Sequence, residues 1–582
     1  MTALASLVRA YERMTARGEA PAFGYSPQRI GFLVSLTSGG QPAGPPHDLR
    51  EADGRRRTAA LMAVPQPGKR TSGVMPNFLW DKTAYALGVT AAEAKRTAQE
   101  HRAFAEKHRE WLEGTTDEGL LALLRFLDFW TPGKFAELGW PEDMKDQNVA
   151  FALERERLDN IRIHDRPAAK ALWARLSGDG DKTDALCLAT GERGPLARLH
   201  PAIKGVWGAQ TAGASIVSFN LNAFTSYGKE QGENAPLSEA AAIAYTEALN
   251  AFLRGTQNRI QIGDATTVFW ADASDANAAR KAEGLFGAFS KVTDQGEAKK
   301  VAAILERIKR GLPVDDFDPV REGVRFHVLG LAPNAARLSV RFYVEDDFGE
   351  IARRYADHHE RMRIEPEPKD GWPPMWRLLV ETAALRKTEN IQPNLAGDWM
   401  RAILTGSPYP LTLLSSIIMR LRADHDVNAL RVAILKSVLI RNFKVKETPV
   451  SLDPEFKDAG YLLGRLFAVY EQVQVAALGT GVNATVKDKF FGAASAQPRK
   501  VFHILASGAS NHLSKVAKQS KGRQVNLEKA ISAIMELMEP GDDPFPASLP
   551  DKSQALFALG YYHQRNEFFR KAEKTTSGED AQ

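Results

Sequence analysis

Carboxylates and imidazoles come first, because a hydrolytic or metal site would be built from them. Asp346 and Asp347 close a run of β-forming residues, as nuclease carboxylates often do. No third acid or lysine completes a motif around them, so metal-dependent cleavage through Asp346 or Asp347 is the alternative reading and not the leading one. His358, His359 and Glu360 form a triplet without HExxH spacing. Adjacent helical residues point about 100° apart, so both histidines are expected at the surface rather than on a shared metal. There is no GxxxxGK[ST], no GxGxxG after a strand and no GxSxG, which leaves nucleotide hydrolysis, dinucleotide binding and serine hydrolysis without support. The single cysteine, Cys187, lies in DALCLAT. It excludes an intramolecular disulfide and a cysteine-rich zinc site, and is expected as a small core residue. These residues predict a protein with no catalytic residue, no metal and no cofactor.

The sequence does concentrate hydrogen-bond donors. Residues 64–88 read VPQPGKRTSGVMPNFLWDKTAYALG and fall into two halves. Pro65, Pro67, Gly68 and Gly73 make a loop that carries Lys69, Arg70, Thr71 and Ser72 without an acid among them. Phe78, Leu79, Trp80, Tyr85 and Leu87 then supply apolar area to anchor it. Such a loop can hold phosphate or read a groove edge; a surface turn with solvated charges is the other reading. Together with Arg55, Arg56 and Arg57, residues 54–70 carry +5, equal to the net charge of all 582 residues. A second loop, residues 220–236, has Gly228 and Gly232 to let backbone approach a duplex. Lys229, Gln231 and Asn234 are there to meet groove acceptors, and Tyr227 to stack or wedge. A third concentration, residues 486–530, holds nine Lys/Arg against Asp488 and Glu528, a net of +7.

The elements that must position these groups follow from pattern. A chain of 582 residues, 44% hydrophobic and 25% charged, exceeds one core, and on the order of two to four domains are expected. Leu4, Leu7, Val8 and Tyr11 mark an amphipathic first helix, unlike a signal peptide. The most apolar window, 408–419, is too short to span a membrane, and a cytoplasmic protein is expected. Residues 90–130 read as helical with a break at Gly114 and a stop at Thr131-Pro132-Gly133. DALCLATGE, ASIVSFN and ATTVFWAD read as short strands, and Ser238 as the cap of a helix that ends before Gly255. A charged stretch follows at 272–318. An antiparallel pair is then expected around the turn Ala332-Pro333-Asn334. Past Phe348 the chain reads as helical, with a linker at 366–374 and a polar, frayed end. Tyr461, Leu462, Leu463, Leu466, Phe467, Val469, Tyr470 and Val473 form a helical stripe. The fold class predicted is α+β: a mixed N-terminal α/β region with short antiparallel strands, followed by a C-terminal all-helical bundle. The domains expected are 1–360, a helical connection 361–448, and the bundle 449–582.

The segments PQPGKRTSGVMPNFLWDKTAYALG, SFNLNAFTSYGKEQGENAPLSEAAAIAYTEALN, FHVLGLAPNAARLSVRFY, AGYLLGRLFAVYEQVQ, VKDKFFGAASAQP and GYYHQRNEFF resemble, in order, the large subunit of the type I-C CRISPR surveillance complex, Cascade. The resemblance implies a non-catalytic binding subunit of an RNA-guided antiviral complex. It would recognise a short protospacer-adjacent motif in target double-stranded DNA, help open the duplex into an R-loop, and recruit the helicase-nuclease. The partners implied are the CRISPR guide RNA, the target DNA, the backbone and guide-processing subunits, and the small subunit, which the C-terminal bundle resembles. That bundle can be made separately in the family; no Met lies between Met419 and Met535, so an internal start here would use another codon, near Val450.

Ser226, Tyr227, Gly228, Lys229, Gln231, Gly232 and Asn234 match the residue types with which related large subunits read the motif. Lys69, Arg70, Ser72 and Asn77 compete with them, for the motif or for the guide's 5′ handle. Lys487, Lys489, Arg499, Lys500, Lys515 and Lys518 are assigned to phosphates of the displaced strand. A scaffold that contacts only protein is a further alternative.

Overall fold

The computed structural model describes residues 2–20, 24–53, 56–67, 74–92, 95–178, 184–219, 221–273, 275–290, 303–304, 307, 323–368, 374–479, 481, 484–539 and 543–569. The chain forms two compact units, residues 1–202 with 217–249, and residues 203–216 with 250–582. The class is α+β, with short, mostly antiparallel strands in the N-terminal half and helices after them.

In the first unit, α1 (Ala3–Ala16) buries Leu7, Val8, Tyr11 and Met14 on one face, with Thr2 capping its start. The main sheet runs β3 (His47–Asp48), β2 (Phe32–Leu36), β6 (Asn148–Leu153), β5 (Trp80–Lys82); a second pair joins β1 (Tyr25–Ile30) to β4 (Ala60–Pro65). Strands β2 and β6 run parallel, with Val34 opposite Phe151, and every other pairing named is antiparallel. Side chains alternate across a strand, and here both faces are covered. Phe32, Val34, Leu36, Val149 and Phe151 enter a core with Phe104 and Phe126, which stand on α2 (Thr97–Trp111) and α3 (Glu118–Phe129). Leu33, Ala150 and Ala152 pack with Ile30, Val64 and Trp80. Gly114, at a φ of 73°, separates α2 from α3 as expected. Cys187 is buried.

ASIVSFN is not a strand. Ala214 and Ser215 make only isolated bridges, Ala214 to Ile203 and Ser215 to Arg337, and the next residues are bends. Its strand-like pairing is confined to these two residues, Ser215 being hydrogen-bonded on both sides to the chain at 336–338.

The second unit carries a four-stranded antiparallel meander, β9 (Arg259–Ile262), β10 (Ala265–Asp272), β11 (Arg325–Asn334) and β12 (Arg337–Asp347). The β11–β12 hairpin is present, but its turn is Ala335–Ala336, not Ala332-Pro333-Asn334. Asn334 pairs with Arg337, and Ala332 and Pro333 are in the ladder opposite Ser339 and Leu338. Ala335 adopts the positive φ of 53° that a two-residue hairpin turn requires, and Pro333 misled the reading by its usual place in turns.

Helices follow: α4 (Phe348–Met362), α5 (Met375–Val380), α6 (Leu395–Thr405), α7 (Leu411–Asp424), α8 (Ala429–Arg441), α9 (Ala459–Leu478), α10 (Val486–Ala496), α11 (Pro498–Gln519), α12 (Lys521–Met535) and α13 (Asp551–Glu567). A buried carboxylate ties three of them. Glu381, just past α5, pairs with Arg377 at 2.7 Å, with Arg386 at 3.1 Å and with Arg431 of α8 at 3.2 Å, and Arg431 also reaches Asp424 of α7. Both Glu381 and Arg431 are buried, so each needs the other: an isolated charge there would be far costlier than the pair.

The expected stripe on α9 is broader than predicted, because every residue from Gly460 to Glu471 is buried. A helix buried all round is a core helix, and α13 lies against it at unusually short range. A Cβ on Gly464 would stand 2.0 Å from the Phe557 carbonyl oxygen, one on Gly460 2.4 Å from that of Ser553, and one on Gly560 2.1 Å from that of Tyr461. Polar side chains cross the same seam: Tyr561 donates to Glu471 at 2.6 Å and Arg465 to Gln564 at 3.1 Å.

Replacing Gly464 by Ala should therefore lower stability by about 1–3 kcal/mol or more, since backbone must move. Gly508→Ala on α11 meets nothing within 4 Å and should gain about 0.5–1 kcal/mol of helix propensity. Chemical unfolding of the two variants beside the parent checks both signs.

Candidate nucleic-acid interface

The loop of residues 66–79 is built from its base outward. Phe78, Leu79, Trp80, Tyr85 and Leu87 are buried, as their apolar character predicts. The Trp80 indole donates to the Pro65 carbonyl at 2.8 Å and so closes the loop across its two ends. Phe78 stacks on Trp173 with ring centres 5.2 Å apart. Leu79 is held at φ 64°, and its N–H donates to Nε2 of His108 at 2.9 Å, while the Nδ1 side of the same ring meets the Phe104 carbonyl at 2.8 Å. Those contacts need a neutral ring with its proton on Nδ1. Burial, partly opposed by the bond to Phe104, pulls His108 down to about 4. Asn77 is buried, its N–H donating to Asp81 Oδ2 at 2.8 Å and its side-chain oxygen left without a hydrogen bond. Lys69, Arg70 and Ser72 lie outside the described residues, as do Gly68, Thr71, Gly73, Gly54 and Arg55.

The second loop divides its residues between a tip and a brace. Ser226 and Lys229 form a bridge, with the Lys229 N–H donating to the Ser226 carbonyl at 2.9 Å. Tyr227 and Gly228 between them have φ of 52° and 73°, the two left-handed positions of a type I′ turn. A tyrosine there costs about 1 kcal/mol relative to glycine, yet Tyr227 is 100% exposed and gains no packing in return. The Lys229 side chain is exposed and has no carboxylate partner among the described residues. Gln231, by contrast, accepts from Arg198, and the Asn234 amide donates to the carbonyls of Lys229 at 3.0 Å and Gln231 at 3.1 Å. Gly232 is buried, and a Cβ on it would lie 2.0 Å from the Ala197 carbonyl. Arg198 is the residue that sequence reading missed; its role appears only when residues 197–198 and 231–232 meet. Ser238 caps the next helix through Ala241 N, as expected. Asn220 lies outside the described residues.

The third surface is α11, whose sequence PRKVFHILASGASNHLSKVAKQ contains no acid. Val501, Phe502, Leu505, Ala509 and Val516 face the core. At about 100° per residue, Ser507, Asn511, Ser514 and Lys515 fall within about 60° of the line joining Lys500 and Lys518, and all six are exposed. Lys500 and Lys518 are about 27 Å apart along the axis at 1.5 Å rise per residue. Lys500, Lys515 and Lys518 have no carboxylate partner among the described residues, whereas Arg499 pairs with Asp543 and donates to the Phe545 carbonyl. Lys489 on α10 is exposed and Lys487 half-buried.

The carboxylates and histidines that could have built a hydrolytic or metal site have structural work. Asp347 caps α4 by accepting from Glu350 N at 3.2 Å, and Asp346 pairs with Arg354 at 2.6 Å. Burial opposes ionisation of Asp346, but Arg354 and the Asp347 N–H outweigh it and hold the carboxyl below its usual range. His358 is not a surface residue. It is buried and shares a 2.7 Å hydrogen bond with Tyr409, and burial, then the neighbouring His359 and Arg441, push it well below the usual imidazole range. His359 is half-buried and is pulled by burial to about 4. The error arose because a polar helix with an Asp-Asp cap reads as exposed, whereas α4 turns this face into the core. No group of three or more His, Cys, Asp or Glu side chains among the described residues is placed to hold a metal ion, and no helix among them is long and apolar enough to cross a membrane.

Comparison with known families first gives a class: the family described as CRISPR-associated protein (Cas_Csd1) matches residues 7–569. The chain belongs to this family, the large subunits of type I-C CRISPR surveillance complexes. Membership implies a working state with other Cascade subunits and nucleic acids, and large subunits of this kind are generally non-catalytic. No curated protein matches the chain.

The His108 latch has a pH signature. With the folded pKa about 4 and the free value about 6.5, the unfolded chain binds more protons between them. The latch is intact above pH 6.5 and its stabilisation is lost as pH falls towards 4, on the order of 3 kcal/mol in all. Thermal unfolding from pH 7 to pH 5 should show a steeper loss for the parent than for His108→Gln.

Proposed function

We propose that this large subunit reads the protospacer-adjacent motif of target double-stranded DNA with the tip of the loop at 226–229, and steadies the displaced strand on α11. Tyr227 enters the duplex as a stacking wedge, Lys229 meets groove acceptors or phosphate, and Gly228 lets the backbone approach. Ser226, Gln231, Gly232 and Asn234 keep that tip in place. The observation that carries this reading is the exposed, left-handed Tyr227, which contributes nothing to packing yet is held by a fully braced turn. Strain kept without structural return is a mark of function. The loop with Lys69, Arg70, Ser72 and Asn77 takes the 5′ handle of the guide RNA, with motif reading as its competing role.

On α11, small Ser and Asn side chains let a strand lie close while Lys500, Lys515 and Lys518 pair with phosphates; Arg499, Lys487 and Lys489 extend the field. R-loop formation and recruitment of the helicase-nuclease follow from holding the opened duplex within the complex, in the cytoplasm. Residues 449–582 correspond in this reading to a small-subunit-like bundle, 1–360 to motif and guide contacts, and 361–448 to their connection.

In the assembled complex, Tyr227→Ala with Lys229→Ala should weaken binding of targets with the correct motif by about tenfold or more, with guide RNA retained. Unchanged target affinity would move motif reading to the loop at 66–79. Lys515→Glu with Lys518→Glu should reduce the salt slope for single-stranded DNA by about 1.4, for any sequence. Dependence on one flanking sequence would contradict the phosphate role.

A further inference from the structure

A cavity of about 720 Å³ in the second unit is lined by none of the residues assigned above. Its walls include Trp207, Asp264 in the β9–β10 turn, Trp376 and Leu379 of α5, and Glu389 and Ile391. The two indoles are 68% and 53% exposed. Large aromatic side chains left in water at a concave site mark recognition surfaces.

Its electrostatics choose the ligand. Two carboxylates and no Lys, Arg or His line it. Arg341 reaches Asp264 through Oδ2 alone, at 3.0 Å from Nε, and Oδ1 has no hydrogen bond. Glu389 is 66% exposed, with Lys387 only at the 4.0 Å limit of an ion pair. Phosphate is repelled here, whereas a guanidinium is matched twice, by indole faces and by carboxylate.

The wall is held rather than loose. Leu385, Arg386 and Asn394, at φ of 57°, 53° and 70°, bracket it, and Arg386 is fixed by Glu381 and Asp426. Two adjacent non-glycine residues, Leu385 and Arg386, held at positive φ with Arg386 clamped by ion pairs are a costly way to make a plain surface loop. The backbone N–H of Trp207 donates to Thr266 Oγ1 at 2.9 Å, which anchors the chain that carries this indole.

We propose that this cavity captures an arginine-bearing peptide segment of a protein partner, its guanidinium stacking on the indoles and pairing with Glu389. The volume exceeds one side chain severalfold, so flanking residues of the segment enter with it. The site is independent of the nucleic-acid surfaces and opposite to them in charge.

The test uses the full chain labelled with 5-fluorotryptophan, whose ten tryptophans give separate fluorine signals. The probe is the peptide acetyl-Gly-Arg-Leu-Arg-Gly-amide. It should shift two signals, those missing from the spectra of Trp207→Phe and Trp376→Phe, and Glu389→Gln should weaken the titration by about tenfold. Glu389 is exposed, so an unchanged unfolding midpoint shows that this variant is folded. The proposal is overturned if the peptide moves neither signal or if its citrulline counterpart binds equally well. It is also overturned if a short oligothymidylate moves the same pair, which would make the cavity a nucleobase site.

Discussion

The approach of α9 and α13 is the constraint on which the second unit depends. With glycine at 460, 464 and 560, the helices meet backbone to backbone, and the hydrogens there face carbonyl oxygens. This distance brings the Tyr461 hydroxyl within 3.0 Å of His563 Nδ1 and lets Tyr561 reach Glu471, so these buried polar groups find partners across the seam rather than within each helix. Phe467, Phe491, Phe557 and Tyr561 then fill one aromatic cluster beside it. The inner side of α11 packs on the same hydrophobic core, so its outward side is left with Lys and small polar residues. The basic face is in this sense a consequence of how α9 is buried.

In the first unit the same logic works with hydrogen bonds. A donor-rich loop is useful only if its ends cannot drift, and Trp80 and His108 fix them at the points where the backbone leaves the core. One is an indole reaching a carbonyl and the other an imidazole accepting an amide. The loop at 226–229 reaches the same end differently: Asn234 ties back to two carbonyls and Gly232 packs against 197–198. In the second loop, side chains that look like ligand-binding candidates by type also brace the turn: Gln231 accepts from Arg198 and Asn234 donates to two carbonyls. The groups left for contact are fewer than composition suggests.

What was legible in the sequence was local. Periodicity placed α1, α2 and α3, Ser238 announced its cap, and the Phe78–Leu87 anchor followed from apolar content. The hairpin of β11 and β12 was visible, but its turn was displaced because Pro333 has the composition of a turn and the pairing of a strand. ASIVSFN failed because β propensity measures fit to a neighbour, and in this segment only Ala214 and Ser215 acquire one. His358 failed because exposure of a helix face is decided by what packs on it, here Tyr409, some fifty residues away in sequence. The close seam, the Glu381–Arg431 pair and the cavity at Trp207 and Trp376 have no local signature at all. Each joins residues far apart in the chain, and to periodicity a buried Arg or Glu looks like any solvated charge.

Net charge hides the arrangement most completely. A chain with a net charge of only +5 has no field that commits it to polyanions, yet α11 carries no acid and the cavity wall carries no base. Salt screens exposed charges beyond about 10 Å, so each surface acts chiefly on what touches it. A subunit that must hold nucleic acid and protein neighbours at once gains from this. Strong uniform basicity would attract RNA and DNA to every face and compete with assembly, whereas segregated patches give each class of partner one place to bind. The acid-free helix and the base-free cavity are then two halves of one solution: opposite local charges kept on one nearly neutral chain.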